Sequence, residues 1–300
     1  MAKAVYVGVD SKARKMKKAY IGIGGTARKV KKMYIGVGGK ARLCYSAEAD
    51  KFGMAASLSK ARSLLAGTTV GGYALFGGGG YDSDAKKGEA IMDAYNASLT
   101  RTTATPLPSN AYACAGGTVG GYAVFSGGSS MNSDSTLVET IGALEIVRAY
   151  DSSLTSSQAA PLSCPRAVHS AATIGNHLLF AGGYNSTTGK YLSTVESYDA
   201  SLTRSTAVEL SSAKNGLASA TVGEYAMFAG GYKGNSDAAY VATVDAYNTA
   251  LTKTTMPDLS VGRYGLASAV IGDYALFAGG ISKISSTADK YQDVVDVYSA

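Results

Sequence analysis

Aromatic rings, amides and carboxylates gather in five polar stretches of this chain, and that mixture is the chemistry of saccharide recognition. The stretches are GYDSDAKKGEA, SSMNSDSTLVETIGALE, YNSTTGKYLS, YKGNSDAAYVA and ISKISSTADKYQD. They place Tyr81, Asp82, Met131, Asn132, Tyr184, Asn185, Tyr191, Tyr232, Asn235, Asp237, Tyr240 and Tyr291 as candidate ligand-binding residues. A ring offers an apolar face to a sugar while amides and carboxylates bond its hydroxyls, and Tyr carries both a ring and a polar tip. With 21 Tyr and no Trp in the chain, stacking falls to Tyr. Singly, each residue is better explained as a solvated loop side chain. Collectively, as a face, they favour binding.

Other chemistry is sparse. His169 and His177 are the only histidines, and a metal site needs more ligands at compatible spacing. They read as one loop and one turn histidine. Cys44, Cys114 and Cys164 are odd in number and lack zinc spacing, which fits reduced structural thiols. The glycine runs Gly77–Gly80 and Gly116–Gly121 lie in β-type repeats with no helix following, so a dinucleotide fingerprint fails. A basic set, Arg62, Arg166, Lys214 and Arg263, is placed at axial positions. Because all four occupy one repeat position, a structural role at the start of each first strand explains them better than an arginine triad for catalysis. No cofactor and no metal are expected, and the chain reads as non-enzymatic.

The elements that must carry these loops repeat five times. Each copy ends a strand on Phe and a Gly pair: FGGGG from Phe76, FSGG from Phe125, then FAGG from Phe180, Phe228 and Phe277. The spacings are 49, 55, 48 and 49 residues, a repeat period with strand signals and no helical pattern. The turns VGGY, IGNH, VGEY and IGDY, and the later YNASLT, YDSSLT and YDASLT, supply Gly, Asn and Asp where tight turns need them. Four antiparallel strands per copy make a propeller blade. Short, similar turns lie on one face and the long, dissimilar loops on the other, which is how scaffolds carry binding sites.

These copies resemble the kelch family. The double Gly, the later Tyr (Tyr95, Tyr150, Tyr198, Tyr247, Tyr298) and the basic residue before the first strand carry the resemblance over five-sixths of the chain. Kelch blades usually place a Trp shortly after that Tyr; Leu99, Leu154, Leu202 and Leu251 stand near the place instead. The expected architecture is all-β: a five-bladed kelch-like β-propeller closed by an N-terminal strand, preceded by a small β-hairpin repeat arm. KFGMAASLSKAR, from Lys51 to Arg62, aligns with KTTMPDLSVGR, from Lys253 to Arg263. Residues 52–58 are therefore expected to pair with the strand near 294–298, leaving no exposed edge. A blade from another chain is the alternative.

Residues 1–46 form a separate basic β-hairpin repeat arm, with the propeller at 47–300. Tyr6, Tyr20 and Tyr34 recur at a spacing of fourteen, each heading a hairpin phrase. The arm carries twelve Lys and Arg against Asp10, so residues 47–300 are mildly acidic although the whole chain is +6. A ribbon this short buries little by itself, so Tyr6, Tyr20 and Tyr34 are read as arm docking positions, with a homotrimer as the expected assembly. The arm resembles repeats at the start of phage and prophage tail or baseplate proteins of Gram-positive bacteria. No signal peptide and no membrane span are read from the chain. The resemblance implies a tail-associated structural protein in the virion, made in the bacterial cytoplasm. Its partners would be itself, other tail or baseplate proteins, and a host-surface glycan or protein; nucleic acid is the lesser partner for the basic arm. An intracellular kelch-type protein-interaction scaffold and a sugar-active hydrolase or epimerase are the rival readings.

Overall fold

The structure is a computed structural model. It describes residues 55–80, 88–130, 142–234, 239–285 and 288–299, together with the backbone of the strands between Tyr6 and Ser46. The chain divides into two compact units, Met1–Met54 and Ala55–Ala300. The first consists of three antiparallel hairpins: Tyr6–Val9 with Lys12–Lys15, Tyr20–Ile23 with Thr26–Lys29, and Lys32–Val37 with Lys40–Ser46. The pairs expected to turn, Asp10–Ser11, Gly24–Gly25 and Gly38–Gly39, lie outside the described residues.

The second unit is a run of antiparallel blades, and among the described residues there is no helix. The first blade comprises Ala66–Val70, Tyr73–Gly77, Met92–Asn96 and Arg101–Thr103. The second comprises Ala115–Val119, Tyr122–Ser126, Val147–Tyr150 and Ser156–Gln158. The third and fourth blades repeat this order over Ser170–Ala207 and Ala218–Met256. The fifth has three described strands, Ala267–Ile271, Tyr274–Ala278 and Val295–Ser299. Successive first strands lie side by side, tied by hydroxyls: Thr173 Oγ1 donates to the Thr118 carbonyl at 2.6 Å and Thr221 Oγ1 to that of Thr173 at 2.8 Å. Only small side chains allow that approach, which is why these strands read Ala, Gly, Ser and Thr.

Blade stacking is built from one apolar device per repeat. The Phe of each second strand meets the Tyr of the third edge-on, with centroids 5.7–5.9 Å apart in all five blades. Each Tyr hydroxyl then donates to a carbonyl in the linker entering its blade, as Tyr150 does to Thr105 and Tyr247 to Val208, both at 2.8 Å. The Gly pairs have a steric origin. Gly230 and Gly231 adopt φ of +68° and +119°, and a Cβ on Gly230 would stand 2.5 Å from the Arg263 carbonyl. Leu99, Leu154, Leu202 and Leu251, the residues near the missing Trp, occupy left-handed turn positions with φ near +60°. The preceding Asn or Asp holds each turn: Asp151 Oδ1 accepts from the amides of Ser153 and Thr155.

The described half of the segment expected to close the ring lies on the first blade. Ala56 O accepts from the Tyr95 hydroxyl at 2.9 Å and Ser57 O from Arg101 at 2.7 Å. Every other blade receives its incoming linker in this way, so residues 55–58 follow the repeat. Lys51–Met54, aligned with the fourth strand of the preceding repeat, fall outside the described residues. At the two ends, complementary faces stay open. Phe76 is 36% exposed over an apolar groove of about 670 Å³ lined by Leu58, Leu65, Ala74 and Tyr95. On the fifth blade Ile271, Val295 and Val297 are exposed.

Candidate functional site

Five tyrosines from three blades form one contiguous cluster on the long-loop side. Short ribbons grow out of the second strands there, Tyr184–Asn185 pairing with Lys190–Tyr191 in the third blade. Tyr184 and Tyr191 stack at 5.0 Å, and Tyr191 meets Tyr232 of the fourth blade at 5.7 Å. Tyr232 contacts Tyr240 at 5.5 Å and Tyr264 at 5.8 Å, and Tyr240 and Tyr264 are 5.6 Å apart. All five rings are half-buried. Tyr240 donates its hydroxyl to Asp289 of the fifth blade at 2.8 Å, which links the blades across their upper edge. Burial, then the Asp289 bond, pushes the Tyr240 hydroxyl up to about 12. Burial and the neighbouring Tyr232 and Tyr184 raise that of Tyr191. Both phenols are neutral donors at physiological pH, as hydroxyl recognition requires.

Of the candidate ligand residues, the structure therefore brings together Tyr184, Tyr191, Tyr232 and Tyr240. Tyr291 is separate and 82% exposed. Asn185 is buried, and its Oδ1 accepts from the amides of Thr187 and Thr188, so its amide oxygen holds the ribbon's turn instead of facing a ligand. Tyr81, Asp82, Met131, Asn132, Asn235 and Asp237 lie outside the described residues. Tyr264 was missed by sequence reasoning because it precedes a first strand, away from the long loops. The available signal was its register: it bridges Ile281 at the place where Asn215 bridges Tyr232. Tyr6, Tyr20 and Tyr34 sit in the arm's strands.

The basic set does not line an axis. Arg62, Arg166, Lys214 and Arg263 have fully buried side chains, each paired with an acid on its own blade's third strand. Arg62 meets Asp93 at 2.9 Å, Arg166 meets Glu196 at 2.5 Å, Lys214 meets Asp245 at 3.5 Å and Arg263 meets Asp296 at 2.7 Å. A linker serine amide caps each acid, from Ser59, Ser163, Ser211 and Ser260. A second cation flanks three of them: Arg101 at 3.9 Å, Arg204 at 3.6 Å and Lys253 at 3.6 Å. Burial pushes the Asp93 carboxyl up, but bonds from Ser59 and Arg62 outweigh it and leave the pKa below its ordinary value. Burial lowers the Lys214 pKa, and Asp245 only partly opposes it. These cages lock linker to blade, so the position is occupied by structure rather than by catalysis.

The histidines divide. His177 opens a second strand, its Nδ1 lying 3.0 Å from Ser197 Oγ. His169 lies in the connection just before the strand Ser170–Ile174, as a loop residue, but it is buried where other blades carry Leu65, Cys114, Leu217 and Leu266, with Nε2 2.8 Å from Ser126 Oγ. Burial, with Arg166 nearby, lowers its pKa to about 3. Cys114 and Cys164 are free thiols, and burial pushes Cys114 up to about 11. Among the described residues no group of three His, Cys, Asp or Glu is placed to hold a metal, and no helix is long and apolar enough to cross a membrane.

Stacked antiparallel blades, four-stranded where fully described, are the architecture of a β-propeller, and the comparisons agree at the level of the fold. A family model described as a kelch motif matches residues 165–201, within the third repeat. A solved structure titled "Structure of YjhT" superposes with a TM-score of 0.60 at 14% identity, covering 92% of this chain and 95% of that one. That likeness concerns the fold. No curated protein sequence matches the chain.

Proposed function

We propose that this protein is a non-enzymatic binding propeller whose tyrosine face takes a saccharide. The observation that carries this reading is the five-ring cluster of Tyr184, Tyr191, Tyr232, Tyr240 and Tyr264, which spans three blades. Half-buried rings with hydroxyl tips supply stacking and hydrogen bonding together. Acid–base chemistry on a sugar calls for positioned proton-transfer groups. Among the described residues Asp289 is the acid hydrogen-bonded to the cluster, and binding is the simpler use of such a surface.

The setting we infer is a phage or prophage tail, with the ligand on the host surface and residues 1–46 docking or assembling the protein. That part rests on the three basic hairpin phrases headed by Tyr6, Tyr20 and Tyr34. Glycan-array binding by the full chain, with Tyr191→Ala and Tyr232→Ala as controls, tests the face. Binding lost in both variants without loss of folding supports it; unchanged binding moves the ligand elsewhere. Light-scattering mass of the full chain, compared with residues 47–300, tests the arm. A monomeric mass for each of the two would remove self-assembly from the proposal.

A further inference from the structure

The repeat supplies its own control for one residue. The third-strand position opposite the repeated Phe is occupied by Asp93, Arg148, Glu196, Asp245 and Asp296, and in four of the blades it is the acid of the linker cage. The second blade alone reverses the charge. Its other cage positions change in concert. The first cation becomes Ala111, the second becomes Ser156 opposite Tyr150, and the capping serine amide becomes Pro108, which has no N–H to donate. Each group that served an acid has gone where the acid has gone.

Among the described residues Arg148 has no counter-charge. It makes no hydrogen bond or ion pair among the described residues, and its Nε is out of contact with solvent. The residue is half-buried, and its two terminal amino groups reach solvent. Directly opposite residues share a sheet face, so Arg148 lies on the Phe125 side, toward the first blade. A sunken stem with an open fork restricts the guanidinium while leaving its paired donors available. That geometry suits a planar carboxylate taken in two-pronged fashion.

We infer that the second blade holds a carboxylate-binding site centred on Arg148, distinct from the tyrosine face. The ligand replaces, from outside the chain, the carboxylate that the other blades carry internally. The free carboxylate of a small acid and the side chain of an acidic polypeptide share this chemistry.

Thermal unfolding of the full chain at constant ionic strength tests it, with chloride exchanged either for acetate or for a short polyglutamate peptide. A saturable rise in midpoint with acetate assigns a small acid; a rise with the peptide alone assigns an acidic segment. Both rises are lost in Arg148→Gln. Because that variant also changes packing, a second one rebuilds the cage: Ala111→Arg with Arg148→Glu and Ser156→Arg. It is expected to fold and to show neither rise. No rise in the wild type, or equal rises in the wild type and the rebuilt variant, overturns the site and leaves Arg148 a solvated cation.

Discussion

The fourth and fifth blades carry nearly the same second strand, YAMFA at Tyr225–Ala229 and YALFA at Tyr274–Ala278, yet burial differs at the first, third and fifth positions. In the fourth blade Ala218, Ala220 and Val222 alternate inward and the third strand, Val244–Tyr247, is wholly buried. In the fifth blade the first strand, Ala267–Ile271, is exposed along its length, and Val295 and Val297 face outward. Phe277 is nevertheless fully buried, because the fourth blade covers its side. The first blade is the mirror case, with Leu75 buried against the second blade and Phe76 half open. A blade's sequence prescribes two apolar faces, and the neighbour decides which of them is dry.

Four experiments sharpen or break that contrast. The largest effect is expected at the Arg166–Glu196 cage inside the stack. Arg166→Ala strands a buried carboxylate and is expected to cost about 3–5 kcal/mol in denaturant unfolding. Arg263→Ala should cost less, since Asp296 is 17% exposed and water can solvate it. Next come the conserved rings: Phe228→Ala is expected to lose about 3–5 kcal/mol and Phe76→Ala clearly less. Equal losses would show that the first blade's outer face is covered in solution.

The third is a pH test at the buried His169. Its folded pKa, about 3, lies below the ordinary 6.5, so the unfolded chain takes up a proton that the folded chain refuses. Stability attributable to it is therefore complete above pH 6.5 and falls by at most roughly 1.4 kcal/mol per pH unit down to pH 3. His169→Leu with Ser126→Ala, the apolar pairing of other blades, is expected to flatten that slope. The smallest effect should come from Val297→Lys on the open fifth blade, within about 0.5 kcal/mol of wild type. A loss of several times that would mean the face is packed against something in solution.

Much of the fold was legible because the repeat writes the same physical needs five times. Paired left-handed glycines, the Tyr tether and the Asn or Asp turn each leave a residue that few others replace. The site was legible only in outline. Tyr184, Tyr191, Tyr232 and Tyr240 could be nominated from loop composition, but Asn185 looked equally suitable and proved to hold a turn. The recurrence of the basic set pointed to a structural position, but the acids that bury and pair these cations went unnoticed. Asp93, Glu196, Asp245 and Asp296 lie roughly thirty residues downstream of their cations and meet them only across the blade.

By itself the sequence determined the repeat period, the blade turns and the recurring Phe and Tyr of each blade, since backbone sterics and alternation act within a few residues. Only tertiary structure decided which rings converge, which charges pair and which repeated faces stay open. Those outcomes depend on contacts between blades, where identical local sequences meet different neighbours. Arg148 shows both halves of the rule. Its charge is written in one position, but that no described residue pairs with it follows from three other positions that folding brings to it.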